Sequence, residues 1–247
     1  EIRLSLVGSE MCIRDSVNLA GIVGGTSASL TKSGPGTLVL SGNNTFSGAL
    51  TLNSGILRAT TSAGALGAGT LSLNGGVLQL ANDTALNFGR ATTVGASTLL
   101  VTDRLTTGAG VTHVLGTLSL GPTAVLRVTP GNFTNSGATG VTFGAATLTG
   151  AASIVTDNSF FVPSVTNTTT LASLAGNFAL TVGGAGNLTV TGGGTSTTAA
   201  LTKNGAGTLT LGSLGGATYA SSGLMTITGG SLVVGAGTTC LLYTSPS

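Results

Sequence analysis

Residues 30–57 read LTKSGPGTLVLSGNNTFSGALTLNSGIL, and residues 201–211 restate the opening of that stretch as LTKNGAGTLTL. In Thr37-Leu38-Val39-Leu40 and again in Leu50-Thr51-Leu52, leucines alternate with other residues. Side chains along a strand point to opposite faces with period two, so Leu38 and Leu40 share one face and Leu50 and Leu52 another. The run Thr37–Leu40 is bounded by Gly-rich punctuation, Ser33-Gly34-Pro35-Gly36 before it and Ser41-Gly42-Asn43-Asn44 after it. Such clusters mark turns. After both copies come an aromatic residue following threonine (Thr45-Phe46 and Thr218-Tyr219), a short strand, and glycine with an apolar pair. Weaker echoes of the module appear at Gly69-Thr70-Leu71-Ser72-Leu73, Gly116-Thr117-Leu118-Ser119-Leu120 and Gly186-Asn187-Leu188-Thr189-Val190.

Strands of three to six residues separated by such turns leave no room for helices, and the chain reads as all-β. A sandwich core about 10 Å thick wants large rings to fill it. The chain has 7 Phe, 2 Tyr and no Trp in 247 residues, so a slim solenoid filled by Leu, Val, Ile and Ala fits better. Coils of about 20 to 25 residues then number about 9 to 11 over residues 17–239.

The charge is distributed unevenly. Only 6% of residues are charged, and Glu1, Arg3, Glu10, Arg14 and Asp15 crowd the first fifteen positions. Both cysteines, Cys12 and Cys240, are also terminal. Residues 1–16 and 240–247 therefore read as non-native segments resembling sequencing-linker translations, and 17–239 as one elongated domain. That domain holds nine charges, six basic and three acidic, and no cysteine. A thin charge of this kind lacks the clustered Lys and Arg that nucleic acid requires. No apolar run is long enough for a membrane-spanning helix.

Residues 30–57 resemble the passenger-associated repeat of bacterial autotransporters, through Leu30, Lys32, Gly34, Gly36, Leu38, Leu40, Gly42, Asn44, Phe46 and Gly48. The second copy carries the pattern at Leu201, Lys203, Gly205, Gly207, Leu209, Leu211 and Tyr219, with the Ser-Gly-Asn-Asn turn replaced by Gly212-Ser213-Leu214-Gly215-Gly216. The resemblance implies a right-handed parallel β-helix that is exported, passed through a C-terminal outer-membrane barrel of the same polypeptide, and displayed on the bacterial surface or released. It implies a stalk or adhesin whose repeats assist folding and transport, with a host or neighbouring cell surface as partner.

Chemistry is sparse beside this. A polysaccharide-cleaving β-helix, the alternative reading, places several carboxylates on one face, and outside the first segment only Asp83, Asp103 and Asp157 exist. Asp83 and Asp103, about one coil apart, read as solvated turn residues, and His113 as a surface or turn histidine. Lys32 and Lys203 read as solvent-facing strand ends that discourage edge pairing. No catalytic, cofactor or metal residues are expected.

Overall fold

A computed structural model describes residues 16–192, 195–212, 218–221, 223–235 and 239–242, with backbone alone at 195–197, 218–221 and 239–242. The segment 1–15 and the tail 243–247 lie outside the described residues. Among those described there is no helix, and the strands pair in parallel. Ten strands, from Val17–Leu19 to Met225–Ile227, form one open sheet in the order in which the chain meets them. Ten successive passes of the chain across one sheet are what a solenoid requires, and at about 4.8 Å per strand they make a rod roughly 45 Å long.

A second sheet holds 12 strands and a third holds 3. Two long strands, Thr134–Leu148 and Val165–Ala175, explain how these sheets make three faces. The start of Thr134–Leu148 pairs with Gly108–Ala109, its middle with Thr112–Val114, and its end with Leu118–Leu120. One strand thus spans two faces that are separate elsewhere. The ten-stranded sheet is the first face. Leu30–Lys32, Leu50–Leu52, Leu71–Leu73, Thr92–Val94 and Leu118–Leu120 make the second. Thr112–Val114, Asn187–Val190, Thr208–Leu211 and Ser231–Val234 line up through the long strands as the third. Late in the chain Thr195–Thr198 packs on Val165–Ala175 and continues the second face, followed by Thr218–Ser221 and Thr239–Leu242. From Thr112 onward the chain winds from third face to second to first in each coil.

Core and surface follow from the alternation. Leu38, Leu57, Leu78, Leu100 and Val128 stand in register as one inward column, and all are fully buried. Each such side chain contributes roughly 1.5–3 kcal/mol by leaving water. Thr31, Thr51, Ser72, Thr93, Ser119 and Thr147 form the matching outward column on the second face. Three rings, Phe46, Phe88 and Phe143, are fully buried among the leucines.

Coil length changes along the rod. Leu50 pairs with Leu71, and Leu71 with Thr92, so these coils keep one length and lie within the expected span. In the middle, Leu126 pairs with Ile154 and Ala152 with Leu180, and these coils are longer than the sequence pattern predicts. The extra residues widen the corner where the first face gives way to the third, and this wider interior is lined by polar groups. Thr102 and Thr139 share a buried hydroxyl–hydroxyl hydrogen bond of 3.2 Å, and Thr156 and Thr169 one of 2.8 Å.

Candidate functional site

Two constellations hold the buried lysine and aspartate side chains among the described residues, Lys32, Lys203 and Asp103. The first is the lysine of each repeat. Leu30-Thr31-Lys32 is a strand in which Leu30 and Lys32 both face inward, and Lys32 stands in register with Leu52. Its side chain is buried, which overturns the solvent-facing reading. The ammonium turns back under its own turn: Nζ donates to the carbonyls of Ser33 (3.3 Å) and Gly34 (2.7 Å), and across to Ser54 of the next coil at 3.2 Å. Lys203 does the same, donating to Asn204 (2.7 Å), Gly205 (2.9 Å) and Gly229 of the following coil at 3.4 Å. A buried ammonium is tolerated because these carbonyls replace water around it. Burial pushes both lysines below their ordinary pKa.

The next coil must leave room for that ammonium. Gly55 has φ +76°, and a β-carbon there would meet Lys32 Nζ and the carbonyls of Gly34 and Gly36. Gly230, at φ +71°, faces Lys203 Nζ and the carbonyls of Gly205 and Gly207 in the same way. Lysine of one coil and glycine of the next, Lys32 with Gly55 and Lys203 with Gly230, form a clamp between consecutive coils. Gly34 and Gly205 take the left-handed turn at its mouth, with φ of +84° and +74°.

The remaining motif residues complete the clamp. Leu38, Leu40, Leu209 and Leu211 are buried core, as are Leu30 and Leu201. Asn44 is buried and bridges three coils: Oδ1 accepts from Val23 N at 2.8 Å and Nδ2 donates to Ala65 O at 2.7 Å. The Phe46 ring lies where a side chain on Gly67 of the next coil would stand. Gly42 and Gly48 run close under the preceding coil, near the carbonyls of Gly21 and Ala28, and Gly36 and Gly207 accept from Ile56 N and Ser231 N. Tyr219 contributes backbone to the third sheet, and its side chain lies outside the described residues. The copies occupy different faces: Leu30–Lys32 lies on the second face and Thr37–Leu40 on the first, whereas Ala200–Lys203 lies on the first and Thr208–Leu211 on the third.

The second constellation is the widened corner, which gathers Asp83, Asp103 and Asp157 with Arg104 and Arg127. Asp83 is a loop anchor: Oδ1 accepts from Leu105 N (3.0 Å) and Thr106 N (2.8 Å), Oδ2 from the Thr106 hydroxyl, and Arg104 stands 3.5 Å away. The Thr106 amide foremost, then its hydroxyl, Leu105 N and the arginine, hold this carboxyl below its ordinary pKa against the opposing pull of desolvation. Asp103 is buried, against the solvated-turn reading. It accepts from Arg104 N at 2.8 Å, Phe133 N at 3.0 Å and Gln79 Nε2 at 3.1 Å, so it stitches three coils. Asp157 pairs with Arg127 at 2.6 Å. Every carboxylate among the described residues is thus occupied in holding a loop or an arginine, and none shares a proton-transfer arrangement with another.

His113 is fully buried, which corrects the surface reading. Nδ1 accepts from Leu86 N at 3.2 Å, so the neutral ring carries its proton on Nε2, 3.3 Å from Asp103 O. Burial lowers its pKa, opposed by the Asp103 carbonyl and carboxylate. Its ring leans on Phe88, with centroids 5.8 Å apart. Among the described residues no three His, Cys, Asp or Glu side chains gather as a metal site, and no helix is long and apolar enough to cross a membrane.

The fold and the lysine clamps define a class: a parallel β-solenoid built from coil-spanning repeats. Residues 30–59 and 201–234 match the family model described as the passenger-associated-transport-repeat, and both stretches are autotransporter passenger repeats. They cover about a quarter of the chain, and each runs from one lysine through the glycine of the next coil. No curated protein and no solved structure matches the chain.

Proposed function

We propose that the chain is a structural segment of an autotransporter passenger, a stalk or adhesin body displayed on the bacterial surface or released from it, with residues 17–239 as its native β-helical part. The two repeats support its folding during transport, their motif residues acting by joining one coil to the next. The observation that carries this reading is the duplicated lysine–glycine clamp inside the two matched stretches. A C-terminal barrel of the same polypeptide is the partner for export, and a host or neighbouring cell surface the partner after it. Carboxylates committed to loops and to arginine support a non-enzymatic role without cofactor or metal.

The test places the chain between an export signal and an autotransporter barrel in a Gram-negative host and measures surface exposure with external protease. The chain should reach the surface, and Lys32→Met with Lys203→Met should lower the displayed fraction several-fold while barrel insertion is unchanged. Display that is indifferent to both lysines, or retention behind an inserted barrel, overturns the reading.

A further inference from the structure

In a chain that buries most of its apolar side chains, Phe160 and Phe161 are 91% and 83% exposed. They sit on the loop after Ala152–Thr156, at the widened corner, stacked edge to face with centroids 5.5 Å apart. The loop is braced from within and against neighbouring segments of the chain. Ser159 Oγ accepts from Val162 N at 3.1 Å, and Asn158 accepts from Asn167 N at 2.8 Å while donating to Ala185 O at 3.0 Å. The two rings are therefore held out on a braced loop, at the solvation cost that exposed aromatic surface carries.

Beneath them lies a cleft of about 280 Å³, at the lower edge of the range of ligand sites, about 300 Å³ and above. One wall is the rings. The others present the Arg127–Asp157 pair, Asn132 and Thr134. Thr134 carries a buried hydroxyl at this wall. It is 1% exposed, lines the cleft, and its hydroxyl has no hydrogen-bond partner in the structure. Behind the cleft Asn167 is fully buried, with Nδ2 donating to Val128 O and Asp157 O and Oδ1 unpartnered. Buried polar atoms without partners are rare in native proteins and point to a missing ligand or water.

We propose that this cleft binds a neutral pyranose unit of a glycan. Arg127 and Asp157 cancel each other's charge, so the walls carry no net attraction for a phosphate or carboxylate. The hydroxyl and amide groups of Thr134 and Asn132 each donate and accept, which matches sugar hydroxyls. Exposed aromatic rings offer their faces to the apolar C–H face of a pyranose. A braced loop lowers the ordering cost of binding. The proposal names a ligand class for the adhesin form of the reading above and rests on it only for biological setting, because the cleft belongs to the fold whether or not the chain is exported.

The test titrates the full chain with neutral gluco-, manno-, galacto- and N-acetylglucosamine oligosaccharides by calorimetry, beside polygalacturonate and heparin. At least one neutral oligosaccharide should bind, and Phe160→Ala with Phe161→Ala should weaken it about tenfold or more. Thr134→Val should weaken it several-fold with an unchanged unfolding midpoint. Three results overturn the proposal: no neutral sugar bound at millimolar concentration, binding unaffected by loss of both rings, or binding confined to the acidic polymers. Sedimentation of the same samples adds a fourth, a wild-type oligomer that the double variant dissolves, which would make the rings a self-association contact. Failure here leaves the export experiment untouched, and a bare stalk would remain.

Discussion

The tight coils at the repeats and the wide coils in the middle solve the same closure problem with different material. Around residues 30–81 the coils are short, Leu50 meeting Leu71 and Leu57 meeting Leu78; their interior is mainly leucine, and the one buried charge is an ammonium wrapped in carbonyls. Around residues 98–180 the coils are longer, Thr98 meeting Leu126 and Ala152 meeting Leu180, and Asp103, His113, Thr139, Thr156 and Asn167 enter the interior, bonded to backbone, Gln79, Thr102 or Thr169, with Asn167 Oδ1 left unpartnered. At Gly55 in the tight coils, glycine is demanded by contact as well as by φ. The wide coils admit polar side chains to the interior, and each such group then requires a hydrogen-bond partner.

Glycine gives the sharpest way to break this contrast. Gly55 and Gly137 have nearly equal φ, +76° and +74°, yet a β-carbon on Gly55 meets the lysine clamp, while on Gly137 the nearest atom is Gly110 N at 3.9 Å. Gly55→Ala should cost roughly 3–5 kcal/mol, strain and crowding together, and Gly137→Ala about 1–2 kcal/mol from strain alone. Urea unfolding measures both, and equal losses would show that crowding does not distinguish the two positions.

Next in size, Lys32→Met should destabilise by about 2–3 kcal/mol, because three carbonyls lose a charged donor. Lys203→Met should match it within about 1 kcal/mol despite its different face. A neutral or stabilising result would mean that methionine packing outweighs the clamp, as happens at some buried ionic groups.

In the wide coils, Asp103→Asn should cost about 1–2 kcal/mol by weakening the charged acceptance from Phe133 N, Arg104 N and Gln79. Native-state hydrogen exchange should then rise at the Phe133 amide, and unchanged protection would remove Asp103 from its stitching role.

The smallest effect is acidic. His113 has a folded pKa below the ordinary 6.5, so the unfolded chain takes up its proton first. Stability is full above about pH 6.5 and falls as pH drops toward the folded value, since the unfolded state then binds more protons. Asp83, held low, keeps its charge through that window. The unfolding midpoint of the wild type should fall between about pH 6.5 and 5, and His113→Leu should flatten that slope. A slope that persists in the variant places the titrating group elsewhere.

Much of the tight region could be read from sequence, because alternation there is undisturbed: Leu38, Leu40, Leu50 and Leu52 face inward as their spacing demands. The same alternation put Lys32 inward beside Leu30. The general exposure of lysine argued the other way, and the carbonyl of Ser54 that decides the matter belongs to the next coil. Its recurrence two residues before Gly-x-Gly in both copies was the available signal. The wide region was less legible because its insertions break the spacing. Thr142, Thr170, Thr189 and Thr210 form one column although the step from Thr142 to Thr170 is much longer than the two that follow it. The burial of Asp103 and His113 depends on that widening, and the adjacent Phe160-Phe161 pair stood out only as two of seven phenylalanines.

The one-face advance between the two clamps has a consequence for recognition. Outward residues of the first copy, such as Thr31, and of the second, such as Thr202, look out from different sides of the rod. A rigid partner approaching from one direction can touch one copy but not both, so the pair gives no avidity to a flat receptor. Duplication of the motif therefore multiplies internal fastenings and does not create a two-point epitope.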